Sequence, residues 1–373
     1  MVLTSRAIVS PEDQSVTFVE LFFDLVFVFS VTQVVGILHR GPEWLDVVRA
    51  LLVFWLIWWA WTQFTWTLNA ADTTHPPIQL AVLTATAVAF FMAIATPDAF
   101  EGRELWFAIP YVVVRAIGLG LNAWVSWEDP SSRAAVGIFA AASIGGLAAV
   151  IGGAAMGGSQ QYMFWGLAIL LDVVAAGIGG RLEGWNIHPD HFTERHGLFV
   201  IIALGESLIV TAGGVTGAAA SGVRMTVAAL AVAIACGFWW TYFARAKGVL
   251  DRALESARGA YRSCLARDAY SLGHFPVLCG VVAYAVAIEE ATTNARAPLP
   301  FAHRVALAAG VLLFVGGLAV PLRRATGALP WVRVLSSAAT AVAIVAAGGI
   351  APVTALAMVL ICVAAVAVLE RRP

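Results

Sequence analysis

Two carboxylates, Glu20 and Asp24, stand four residues apart inside Phe18–Phe29, a stretch otherwise apolar enough to enter a lipid bilayer. A spacing of four puts both on one face of a helix. Charge in hydrocarbon is costly unless it is neutralised or paired, so acids placed there mark a candidate functional site. A third acid, Glu206 in Gly205-Glu206-Ser207, has a comparable setting much later in the chain. Asp24 and Glu206 each fall eight or nine residues beyond the expected start of an apolar segment. At 1.5 Å per residue that is a depth of roughly 12–14 Å. Two carboxylates meeting there can bind and release a proton or coordinate a cation. Alternatively, each is held by an arginine or by backbone donors and only locks helix packing.

Other polar residues extend this set. Glu20 is shallower, and Arg195, just before a later apolar segment, is positioned to pair with it. Arg115 and Asp172 fall near the middle of two further segments, which suggests a buried ion pair or a counter-ion for Asp24 or Glu206. Gln63, Asn69 and Asn122 add polar lining. His75 and His274 each precede a proline by one or two positions and can relay protons or simply cap helices. His188, His191 and His196 cluster with Asp190 and Glu194 in what reads as a connecting loop. Their loose spacing lacks the HxxxH or HxxE pattern of a metal site, and neither metal nor cofactor is expected. Trp59 and Trp240, with Trp58, Trp61 and Trp239, lie well inside apolar segments. They read as walls of an aromatic cavity or as packing and lipid-facing residues.

The elements that must position these groups follow from composition. The 373 residues are 60% hydrophobic and 12% charged, about half the charge of a soluble domain, with mean hydropathy +0.85; this argues for an all-α polytopic membrane protein. Net charge −1 and the lack of any basic stripe exclude nucleic acid as a partner. The four cysteines show no redox or metal spacing. The first apolar segment follows Glu12 and Asp13 without a basic leader region, so it is expected to persist as a span.

Apolar stretches of bridging length fall near 16–38, 45–68, 77–97, 105–126, 133–152, 160–180, 197–217, 223–245, 268–291, 301–322, 330–348 and 350–369. With twelve spans, Arg40, Arg49, Arg103, Arg224, Arg296 and Arg304 share one side and Arg115 lies within a helix. The other fifteen of the 22 basic residues share the opposite side. That bias puts both termini in the cytoplasm of a cell whose inner membrane holds the protein. Leu250, Leu254, Ala257, Tyr261 and Cys264/Leu265 recur at helical spacing, predicting an amphipathic helix over about 248–266, either on the membrane surface or packed on the protein's inner face.

The segment Trp58-Trp59-Ala60-Trp61-Thr62-Gln63-Phe64 matches Trp239-Trp240-Thr241-Tyr242-Phe243 at an offset of 181 residues. The same shift brings Asp24 to within one residue of Glu206. The pattern predicts two parallel six-helix repeats, 1–180 and 197–373, joined by a polar loop at 181–196.

The phrases Val19-Glu20-Leu21-Phe22-Phe23-Asp24-Leu25-Val26-Phe27-Val28-Phe29 and Glu194-Arg195-His196-Gly197-Leu198-Phe199-Val200-Ile201-Ile202-Ala203-Leu204-Gly205-Glu206-Ser207 resemble the bacterial low temperature requirement protein A family. The likeness extends to Thr32-Gln33 and the tryptophan helices. It implies a multi-pass membrane protein and carries over Glu20, Phe23, Asp24, Thr32, Gln33, Glu194, Arg195, Gly197, Gly205 and Glu206 as motif positions. It implies no reaction.

Three functions are compatible with these residues. A proton- or cation-coupled transporter of a small solute uses acids converging in the membrane. A membrane-embedded enzyme uses Asp24, Glu206 or Glu20 for acid catalysis on an isoprenoid or lipid held among the tryptophans. A non-catalytic sensor or scaffold needs the acids only as pairs.

Overall fold

Prolines, glycines and small polar caps cut the apolar sequence into helices. The computed structural model describes residues 8–11, 14–38, 43–182, 184–216 and 221–370. Arg6, Glu12, Asp13, Arg40, Arg371 and Arg372, used in the leader and charge-bias arguments, lie outside the described residues. In chain order the helices are α1 (Phe18–Leu38), α2 (Trp44–Ala70), α3 (Pro76–Ala95), α4 (Glu104–Val125), α5 (Pro130–Met156), α6 (Gly158–Gly179), α7 (Pro189–Thr216) and α8 (Gly222–Thr241). Then come α9 (Lys247–Ser256), α10 (Gly259–Leu265), α11 (His274–Thr293), α12 (Phe301–Val311), α13 (Ala319–Thr326), α14 (Trp331–Ala346) and α15 (Pro352–Leu369). Wide π turns at Tyr242–Ala246, Ala266–Leu272 and Leu312–Gly316 continue helices instead of ending them.

Among the described residues, eleven helical stretches are long and apolar enough to cross a membrane. The twelfth expected span is α14, whose 16 residues rise about 24 Å. A tight turn at Gly348–Gly349, with Gly349 at φ +69°, leads from α14 towards α15. Arg304 binds the carbonyls of Val345 and Ala347 that α14 leaves exposed. The chain is an all-helical polytopic membrane protein.

The helices sort into two compact units, one of Met1–Val34, Val48–Arg195 and Glu255–Arg267, the other of Val35–Val47, His196–Leu254 and Asp268–Pro373. In the first, α5 and α6 pack closely because Gly153 has no side chain; a Cβ there would meet Phe164 and Trp165 at 2.8 and 2.9 Å. Trp165 is buried and donates to the Val150 carbonyl at 3.1 Å. In the second, a Cβ at Gly280 would come within 2.5 Å of the Phe314 backbone nitrogen. Small residues of this kind let transmembrane helices approach.

The expected amphipathic helix 248–266 is instead two short helices, broken at Ala257–Arg258, with Gly259 at φ +52°. The break resets the helical register. Leu250, Leu254, Ala257 and Leu265 are buried as expected, but Tyr261 is exposed. Within the first unit, α10 is packed on protein: Cys264 contacts the Gly180 carbonyl, and Arg262 binds that of Ile187. Arg267, in the π turn that follows, binds the Ala176 and Gly177 carbonyls. Arg267 thereby caps the C-terminal end of α6.

Asp129 caps α5 ahead of Pro130, accepting from Ser132 and Ser131. Bonds from the Ser132 hydroxyl, the Ser132 amide and the Ser131 hydroxyl hold its carboxyl down at about 2. A depressed carboxyl stabilises the fold fully above its unfolded value and loses that contribution as pH falls through the folded value. The stability gap between wild type and Asp129→Ala should therefore be constant above about pH 4 and narrow towards pH 2; a gap independent of pH refutes the capping role. For packing, Gly280→Ala should lower detergent-phase stability by about 1–3 kcal/mol, since its clash is with backbone. Gly120→Ala, where nothing lies within 4 Å, should cost nothing.

Candidate functional site

The first turns of α1 and α7 carry matched pairs. Glu20 and Asp24 lie on one face of α1, His191 and Arg195 on one face of α7, both at a spacing of four. All four side chains are buried. His191 Nε2 lies 3.0 Å from Glu20 Oε1, and Arg195 Nη1 is 3.6 Å from the same oxygen. Arg195 Nη2 pairs with Asp24 Oδ1, which also accepts from Trp61 Nε1 of α2 at 2.7 Å. The guanidinium sits over the Trp61 ring, 5.6 Å from its centroid. Glu20 Oε2 accepts from the backbone and hydroxyl of Thr17 at 3.0 and 2.9 Å.

Asn69, near the end of α2, fixes the state of the histidine. The His188 amide donates to Asn69 Oδ1 at 2.7 Å, which turns the Asn69 NH₂ group towards the His188 carbonyl and His191 Nδ1, at 3.1 and 3.0 Å. A ring nitrogen that accepts carries no proton. The imidazole proton therefore sits on Nε2, facing Glu20, and a second proton on Nδ1 would oppose a donor to a donor. Two carboxylates, one histidine and one guanidinium thus share this site. Two of the four carboxylate oxygens, Glu20 Oε1 and Asp24 Oδ2, are buried without a well-formed hydrogen bond, and of these Oε1 has His191 Nε2 at 3.0 Å and Arg195 Nη1 at 3.6 Å.

A second polar cluster in the same unit joins α2, α4, α5 and α6. Arg115 Nη1 and Nη2 each lie 3.3 Å from Asp172 Oδ1, and Nη1 also donates to the Tyr111 hydroxyl at 2.8 Å. Gln63 donates to the Arg115 carbonyl at 3.0 Å. Trp59 lies beside Asp172 and stacks on Trp55, ring centroids 5.5 Å apart. The Arg115–Asp172 pair expected from the sequence is thus present, and Arg115 serves Asp172 where a counter-ion role for Asp24 falls to Arg195.

Several expected participants have other surroundings. α7 begins at Pro189, a residue suited to the first helical position, so residues 189–196 are helix where a loop was expected. Glu206 is consequently the eighteenth residue of α7 whereas Asp24 is the seventh of α1, and the expectation of equal depth loses its basis. Glu206 is half-buried in the second unit. Thr32 and Gln33 are half-buried, Thr32 bonding back to the Val28 carbonyl. Trp58, Trp59 and Trp61 are buried, but Trp239 and Trp240 are 41% and 46% exposed; the two tryptophan motifs do not form equivalent walls. In the second unit His274 donates from Nδ1 to the Ala269 carbonyl at 3.0 Å, so Nε2 accepts from the Tyr242 hydroxyl at 2.8 Å. Both nitrogens are thereby engaged. His75 meets Trp124 edge-on.

The sequence singled out Asn69 as polar lining, Trp61 as an aromatic wall and His191 as part of a loop cluster, but did not join them to Glu20 and Asp24. The model of the bacterial low temperature requirement A proteins (LtrA) matches residues 15–368. The chain belongs to this family. It is similar to an uncharacterised Rhizobium meliloti (strain 1021) protein, 27% identical over 331 residues that cover 85% of this chain and 80% of the relative. No solved structure matches. The matched span contains every residue of the two polar clusters of this LtrA chain.

Removing the cation should cost more than removing either acid. Arg195→Met leaves two buried carboxylates unpaired and should destabilise the protein by about 3–5 kcal/mol in detergent unfolding. Adding Asp24→Asn to Arg195→Met should recover part of that loss. Strictly additive effects in the double variant would show that the three groups do not act as one charge network.

Proposed function

We propose that this LtrA protein is a proton-coupled carrier of a small solute in the bacterial inner membrane, both termini cytoplasmic, with Asp24 as its proton-binding group. The pairing carries this reading: two buried acids share one permanent cation, Arg195, so a proton on one acid leaves the other paired. Glu20, held from Thr17, His191 and Arg195, acts as the standing anion. Asp24, with one oxygen unengaged, is the acid that exchanges its proton. Protonation would loosen the Arg195–Asp24 pair, and that pair ties the first turns of α1 and α7 together. A gradient-driven carrier needs a group of this kind, whose charge state is coupled to a helix contact. The arginine excess on one side supports the orientation. Glu206, Thr32, Gln33, His274 and Trp240 are given no part in this proton site.

Asp24 protonation is measurable without knowing the solute. A pH jump applied to proteoliposomes adsorbed on a solid support should give a displacement current, and infrared titration should show a carboxylic acid C=O band. Asp24→Asn should abolish both, whereas Glu206→Gln should keep both. Current and band surviving in a folded Asp24→Asn protein overturn the site. Sodium steps that give the current where proton steps do not would replace the proton by a metal cation. A sustained current on adding a panel of small metabolites supports the carrier; its absence across the panel overturns that part.

A further inference from the structure

The Arg115–Asp172 cluster sets one acid against one guanidinium, so its formal charges cancel. Around that neutral pair, Arg115 Nε, Gln63 Oε1, Thr62 Oγ1 and Ser143 Oγ are buried and make no hydrogen bond with the protein. Each parent residue is at most 3% exposed. They come from three helices, each of which reaches the Arg115–Asp172 pair. Gln63 bonds the Arg115 backbone. Thr62 shares the α2 stripe of Trp59, three residues earlier, and Trp59 lies beside Asp172. Ser143 lies one turn before Gly146 on α5, where a Cβ would stand 3.6 Å from Asp172 Oδ1.

Unpaired polar atoms at this burial are rare singly and concentrate where a bound molecule completes the bonding. The chemistry of the set defines that molecule. Arg115 Nε offers a donor, Gln63 Oε1 an acceptor, and the two hydroxyls offer both. With the ion pair already neutral, an ionic guest would add an unbalanced charge in low dielectric. Glycine at 118 and at 146 keeps the walls thin: a Cβ at Gly118 would press on the Gln63 amide at 2.9 Å.

We infer that α2, α4, α5 and α6 enclose a site for a small uncharged molecule that both donates and accepts hydrogen bonds, which is water or a solute of water-like bonding. This site is separate from the proton site and does not depend on the carrier reading. The tyrosine of the cluster reports on it. Tyr111 is 1% exposed, as is Tyr284, whose hydroxyl is satisfied by the Ala231 carbonyl at 2.7 Å.

Hydroxyl radicals generated by X-ray pulses on the wild-type protein in detergent oxidise buried side chains that touch bound water. Tyr111 should be modified roughly tenfold faster than Tyr284, and Thr62→Val with Ser143→Ala should slow it towards the Tyr284 rate by removing the guest's partners. Urea, neutral and able to bond both ways, separates the two occupants. Slower Tyr111 oxidation in urea, with Tyr284 unchanged, assigns a solute site; no effect of urea assigns water. Tyr111 as slow as Tyr284 in the wild-type protein overturns the inference.

Discussion

Arg195 holds the first unit's charge in place. Its guanidinium is the one permanent cation among four buried polar side chains of α1 and α7, and both acids depend on it. Paired charges are tolerated in low dielectric only when geometry and further hydrogen bonds are good. Here Trp61 and Thr17 supply those bonds to the acids, and Asn69 orients the histidine that faces Glu20. The first turns of two helices and the later half of α2 are therefore constrained together. Disturbing one member leaves the others exposed to the full cost of burial.

Helix α2 serves two polar systems from different faces. Trp61 meets the Asp24 site, whereas Trp59 and Gln63 meet the Arg115–Asp172 cluster. This division explains why a helix so rich in tryptophan also carries Thr62, Gln63, Thr65 and Asn69, all buried. Indole rings fill volume and offer a single donor each, so they pack densely while the amides and hydroxyls complete the bonding. The two systems differ in make-up: one sets two acids and a histidine around a single guanidinium, the other sets one acid against one guanidinium.

Much of this arrangement was legible in the sequence. Helix number and class follow from apolar length, and Glu20 with Asp24 stands out because acids in such a run demand partners. Arg115 and Asp172 were recognisable by sign and depth. His191 was hidden by a boundary: hydropathy starts α7 near Gly197 because Asp190, Glu194 and Arg195 depress the window, although Pro189 is a competent helix start. Extending that helix by two turns puts His191 and Arg195 at the spacing of Glu20 and Asp24. Tyr261 was misplaced for the opposite reason, since a periodic pattern was carried across Gly259, where positive φ resets it.

The tryptophan motifs show where sequence likeness stops short of chemistry. Trp61 donates to Asp24, and Trp58, Trp59 and Trp61 are all buried. Trp239 and Trp240 occupy the matching stretch of α8 but are substantially exposed, the condition of residues that face lipid. A tryptophan pair records only that a helix wall must be bulky. Whether its indole nitrogens serve a buried acid depends on what the neighbouring helix presents. In the first unit that neighbour is the acid face of α1, and this acid face, more than the aromatic motif itself, makes α2 part of a site.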